Sequence, residues 1–77
     1  MTLPIRLNDT IVTRNRFTRA QRAYTATGEV VRLKWRETGE QLQVLYVAKD
    51  GDGTIVRLRE SRIVRVERAG KVVWRKD

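Results

Sequence analysis

The stretch from Gly28 to Glu60, GEVVRLKWRETGEQLQVLYVAKDGDGTIVRLRE, leaves this chain few folds to choose from. Its three apolar-patterned runs are separated by two turn signals, Thr38-Gly39 and Asp50 to Gly53, which together spell three consecutive antiparallel strands. Side chains change face at every residue of a strand. Val31, Leu33 and Trp35 are therefore expected on a core face of the first run, with Arg32, Lys34 and Arg36 on the other. The third run repeats the arrangement, with Val56 and Leu58 inward and Arg57 and Arg59 outward. Two strands of one sheet are thus expected to carry a file of positive charge each.

A chain of 77 residues has room for one hydrophobic core, so residues 1–77 are read as a single domain. Its 40% apolar content suffices for that core. No apolar run approaches the about 20 residues that a bilayer span requires, and no membrane association is expected. The opening MTLPIRLND lacks the apolar h-region of a secretory signal, and the absence of cysteine removes both a disulfide framework and a thiolate metal site. The expected setting is the cytoplasm of a bacterium, with a phage or plasmid as the source of the gene.

The net charge is +8, carried by thirteen Arg and four Lys against nine acidic residues. A guanidinium is planar, always charged and able to bond two phosphate oxygens at once. A GC-rich genome would raise the ratio of Arg to Lys as well, but it leaves the total positive charge to be explained.

Taken in order, Leu3 to Leu7 reads as an edge strand or an extended lead-in, since Pro4 has no N–H for a ladder. Asn8-Asp9 is a turn signal, and Ile11 and Val12 start a short strand. Residues 15–27, NRFTRAQRAYTAT, form a basic loop or a short helix; Asn15 could cap the helix, and Phe17, Ala20 and Tyr24 recur at helical spacing. The middle run of the central stretch, Gln41 to Ala48, is apolar on both faces in its second half, as a covered central strand is. After a break at Ser61-Arg62, Ile63 to Arg68 is expected as a further strand with Val64 and Val66 inward, and Val72 to Trp74 as a last one before the charged end Arg75 to Asp77. No internal repeat of fixed period marks a boundary.

The sum is an all-β chain of five to six short antiparallel strands. The order of its signals, LNDTIV, a variable loop, TGEVVRL, a hairpin, a strand ending in RLRES and then RIVRV, resembles the SH3-like barrels across residues 7–68. Within them it is most similar to the Tudor and KOW types and to the carboxy-terminal domain of retroviral integrases. The resemblance implies a small closed or nearly closed barrel, and a module that binds DNA, RNA or protein in preference to a catalyst.

Candidate binding residues follow from the charge pattern. Arg32, Lys34 and Arg36 on one strand, Arg57 and Arg59 on another, and Arg14, Arg16, Arg19 and Arg22 around the basic loop are expected to form one surface that tracks phosphates. Nucleic acid is the expected partner, DNA favoured over RNA, with a monomer or small homo-oligomer as the binding unit. The alternative is an adaptor or inhibitor whose basic face docks on an acidic surface of a polymerase or nuclease. Trp35 and Tyr46 are expected to pack in the core, with Trp74 partly exposed. The DGDG of Asp50 to Gly53 is a hairpin turn, because the twelfth position of a calcium loop begun at Asp50 would be Ser61, which supplies no bidentate carboxylate. With neither His nor Cys in the chain, the usual general bases, nucleophiles and zinc ligands are missing, so no enzyme activity and no cofactor are expected.

Overall fold

The computed structural model describes residues 3–76. Of the stretches discussed above, Met1, Thr2 and Asp77 lie outside the described residues. Six strands make one antiparallel sheet: β1 (Thr10–Arg14), β2 (Gln21–Lys34), β3 (Gln41–Lys49), β4 (Ile55–Arg59), β5 (Ile63–Arg68) and β6 (Lys71–Arg75). A single 3₁₀ turn, Glu60–Arg62, links β4 to β5. The order across the sheet is β4-β3-β2-β1-β5-β6, so the first strand lies beside the fifth. The all-β antiparallel architecture is the expected one. Of the expected closed or nearly closed barrel, the closed form is not what forms: among the described residues β4 and β6 pair with no strand on their outer sides, and the sheet is not closed.

The core is assembled from one face of this sheet. Ile11, Ala26, Val44, Tyr46, Ala48, Leu58, Ile63 and Val66 pack together, and Leu3 covers them from the amino-terminal lead-in. Tyr46 is the largest of the fully buried side chains, at 1% exposure. Its hydroxyl accepts the backbone N–H of Leu3 at 2.9 Å, which supplies the buried oxygen with a partner. The lead-in is held further by Asn8 N–H to Ala26 O at 2.9 Å and Ala26 N–H to Asp9 O at 2.8 Å. It is an extended lid, with no strand of its own among the described residues before Thr10.

Asp9 fixes that lid to the far end of the chain. Its buried carboxylate accepts Nε and Nη2 of Arg68 on β5, both at 2.9 Å, and the backbone N–H of Arg6 at 2.9 Å. Arg68 Nη2 also donates to Pro4 O at 3.0 Å. The two parallel N–H···O bonds match the planar fork of the guanidinium to the carboxylate. These bonds, from Arg68 foremost, hold the Asp9 carboxyl below the usual carboxylate range against the opposing effect of burial, and they raise Arg68 in turn.

β2 is where the expected face assignment fails. Residues directly opposed in an antiparallel pair share a face. Val30 lies opposite Tyr46 and Arg32 opposite Val44, so the even positions point to the core side; Val31 and Leu33, opposite Leu45 and Gln43, point away. A one-residue change of register moves every side chain to the other face. The bulge between Ala26 and Val30, which holds Gly28 at φ 88°, sets four residues of β2 against two of β3, so Ala26 and Val30 keep the same side and the even positions stay toward the core throughout. Beyond Arg32, which still lies opposite Val44, the flanking strands have ended, because β1 pairs with β2 only as far as Thr25 and β4 with β3 only as far as Leu45. The ends of β2 and β3 therefore project as a two-stranded ribbon. Leu33, Leu42 and Trp35 stand exposed on it, Trp35 at 57%.

The remaining strands agree with their pattern more closely. On β4, Leu58 faces Tyr46 and Val56 faces Ala48, with Arg57 and Arg59 on the other side. On β5, Ile63 and Val66 are buried, whereas Val64 falls in an irregularity between the pairs Val12–Arg65 and Thr13–Ile63 and is only half-buried. The Asp50 turn is a hairpin turn as expected, Asp50 Oδ1 accepting the N–H groups of Asp52 at 2.9 Å and Thr54 at 3.0 Å. Trp74 is half-buried against the core from β6.

Candidate nucleic-acid interface

The segment expected as a basic loop or short helix over residues 15–27 is mostly strand. Only Asn15 to Ala20 turns the chain; Gln21 onward already pairs with β1, in the register Arg14–Gln21 to Thr10–Thr25. Asn15 does cap, but it caps the turn. Its Oδ1 accepts the N–H groups of Phe17 at 2.8 Å and Thr18 at 3.0 Å, as Asn side chains do when they mimic a backbone turn. The Asn15 N–H donates to Ala20 O at 2.8 Å and the Arg19 N–H to Asn15 O at 2.9 Å. Thr18 Oγ1 accepts the Ala20 N–H at 3.2 Å. The bonds are all satisfied close to the backbone, which leaves Arg16, Phe17 and Arg19 to project outward. Phe17 anchors nothing inside.

Because β1 lies between β2 and β5, this turn stands over the start of β5 and the end of β6. The result is an open groove of about 820 Å³. One wall is the turn, with Arg14, Arg16, Phe17 and Arg19. The other is the end of β4 and the 3₁₀ turn, with Arg59, Ser61 and Arg62. Val64 and Arg65 of β5 and Arg75 and Lys76 at the end of β6 complete it. Eight of the lining side chains are cationic and none is acidic.

The groove's charges are poorly neutralised. Arg65 and Arg75 lie directly opposite each other across β5 and β6, a like-charge pairing that destabilises a sheet. Arg65 is partly compensated by Glu67 on its own strand, Nε to Oε2 at 2.6 Å. Lys76 Nζ donates to the carbonyl of Ser61 at 3.1 Å. Arg14, Arg16, Arg19, Arg59, Arg62 and Arg75 make no ion pair among the described residues. The backbone also carries a cost here, since Arg19 sits at φ 61°, in the left-handed region where a side chain is disfavoured by about 1–2 kcal/mol.

The structure divides the nine residues selected from sequence. Arg14, Arg16, Arg19 and Arg59 line the groove. Arg22 lies outside it, opposite Thr13 on the pairing of β1 with β2. Arg57 lies opposite Val47, on the face of β4 away from the core. Arg32 lies on the core side of β2, opposite Val44, so the two charged files expected to share one surface lie on opposite faces of the sheet. Arg32, Lys34 and Arg36 are not among the residues that line the groove.

Four groove cations were not singled out from sequence: Arg62, Arg65, Arg75 and Lys76. They belong to a break, a strand and a charged chain end that look unrelated until β5 is paired with β1.

Among the described residues no helix is long and apolar enough to cross a membrane. No protein family, curated protein or solved structure matches the chain.

Proposed function

We propose that this chain is a small SH3-like module that binds nucleic acid, DNA in preference to RNA, by seating phosphates among the arginines of the groove between the β1–β2 turn, the 3₁₀ turn and the end of β6. The carrying observation is the groove's composition: eight cations and no acid around one concavity, with six of the arginines free of any ion pair among the described residues. A phosphate backbone supplies closely spaced negative charge to such a surface, and guanidinium groups bond it in pairs. The SH3-like likeness is supported by the strand order β4-β3-β2-β1-β5, by the long β2 that serves both halves of the sheet, and by the single 3₁₀ turn between β4 and β5. On this reading the protein acts as a binding accessory or regulator, with phosphate contacts giving affinity and little sequence preference.

The test is a salt titration of binding to duplex and single-stranded oligonucleotides. With about five phosphates neutralised, affinity for duplex falls several hundredfold between about 50 and 200 mM salt. Affinity that is independent of salt, or missing at low salt, rules the reading out. A pull-down repeated after nuclease digestion separates it from docking on an acidic protein, since only a protein partner survives digestion.

A further inference from the structure

Phe17 is the most exposed large apolar side chain among the described residues, at 88%. It stands at the rim of the basic groove between Arg16 and Arg19. Its own N–H is bonded to Asn15 Oδ1, so the backbone beneath the ring is held in place. A ring so presented is costly in water and contributes nothing to the core.

The β2–β3 turn shows that the fold does not require it. There the Trp35 N–H donates to Glu40 O at 2.8 Å and the Gly39 N–H to Trp35 O at 2.9 Å, and Thr38 Oγ1 accepts the Glu40 N–H at 3.2 Å. Three bonds of the β1–β2 turn recur here, from Asn15, Thr18, Arg19 and Ala20 to Trp35, Thr38, Gly39 and Glu40, while the two accepted by Asn15 Oδ1 have no counterpart at Trp35. In this second turn the place of Phe17 is taken by Glu37 and the place of Arg19 by Gly39. The same backbone is thus compatible with a carboxylate where the first turn carries a phenyl ring. Both exceptional side chains of the first turn face the groove.

We infer that Phe17 is the stacking platform for an unpaired nucleobase, and that the groove accordingly takes single-stranded nucleic acid, its phosphates on the arginines and one base against the ring. This rests on the nucleic-acid reading given above and narrows it. A flat aromatic face beside a cationic groove binds bases with little regard to their identity. In a duplex the faces of the bases are hidden within the stack; in a single strand they are available.

The experiment compares wild type with Phe17→Ala and Phe17→Trp, on a labelled short oligothymidylate, an abasic strand of the same length and a duplex, each across a salt series. Wild type is expected to prefer the thymidylate over the abasic strand by roughly ten- to hundredfold. Phe17→Ala loses that preference while keeping its salt dependence and its unfolding midpoint, and Phe17→Trp retains the preference, with its fluorescence quenched on binding. A Phe17→Ala protein that still binds the thymidylate as wild type does, or a wild type that does not distinguish it from the abasic strand, overturns the inference. Either result with salt-dependent binding preserved leaves the basic-groove reading standing; no salt-dependent binding to any strand overturns both. An equal loss for Phe17→Ala on thymidylate and abasic strands also counts against stacking.

Discussion

Arg19 and Gly39 hold the same place in two hairpin turns of one hydrogen-bond pattern. Each donates its N–H to the carbonyl four residues earlier, and each has a positive φ, 61° for Arg19 and 74° for Gly39. Glycine is the residue that such a position favours. The first turn departs from that preference at the edge of a groove rich in arginine, and strain of this kind tends to be retained where a side chain is needed for function.

Arg19→Gly should therefore raise stability while weakening polyanion binding. Relief of the left-handed strain outweighs the extra freedom glycine gives the unfolded chain, by about 0.5–1 kcal/mol. Urea unfolding followed by tryptophan fluorescence reads the first effect, and anisotropy of a labelled oligonucleotide reads the second. A lowered urea midpoint would show that the strain argument is wrong.

Charge reversal separates the groove from the sheet faces. Converting Arg59, Arg62 and Arg75 to Glu is expected to reduce oligonucleotide affinity at low salt by at least about a hundredfold, with the salt slope reduced by the contacts removed. The same triple reversal at Arg32, Lys34 and Arg57, which leaves net charge equally altered, should cost far less. Equal losses would mean that only total charge matters and that the groove has no special part. Circular dichroism of both variants checks that the sheet is intact.

The Asp9–Arg68 pair sets the acid limit of stability. The folded-state pKa of Asp9 is lowered, by the Arg68 hydrogen bonds first, from its ordinary value of 3.8. A carboxyl with a depressed folded pKa stabilises the fold fully at pH values above its unfolded pKa, and the contribution is lost as pH falls through the folded value. Stability is thus expected to be flat in Asp9's contribution near neutrality and to decline below about pH 4. Asp9→Asn should lower the urea midpoint at pH 7 and make the acid decline shallower. An unchanged slope below pH 4 would remove Asp9 as its cause.

Much of the fold was written in local pattern. The runs around Val44 to Ala48 and Ile55 to Arg59, the Asp50 turn and the strand beginning at Ile63 all follow from alternation and turn chemistry. The face of β2 was not, because Val30 and Val31 are both apolar and offer two registers. The longer apolar series, Val31, Leu33 and Trp35, belongs to a ribbon with no core beneath it. Alternation reports which residues share a side; it does not report how far the neighbouring strands extend. The groove was half legible for a related reason. Arg14, Arg16 and Arg19 are neighbours in sequence, but their association with Arg62, Arg65 and Arg75 depends on β5 returning beside β1. The shared pattern of the two turns was hidden as well, since Asn15 and Trp35, or Arg19 and Gly39, have little in common as side chains.

The bond from Arg68 to Asp9 joins residues 59 positions apart, and β5 supplies Ile63 and Val66 to the same core that Ile11 enters. A nascent chain still lacking β5 has its buried aspartate without a counter-ion and its first strand open along one side. Assembly of the native state therefore waits for β5 to leave the ribosome. Contacts so distant along the sequence also place folding toward the slow end for small domains, on the order of milliseconds to seconds.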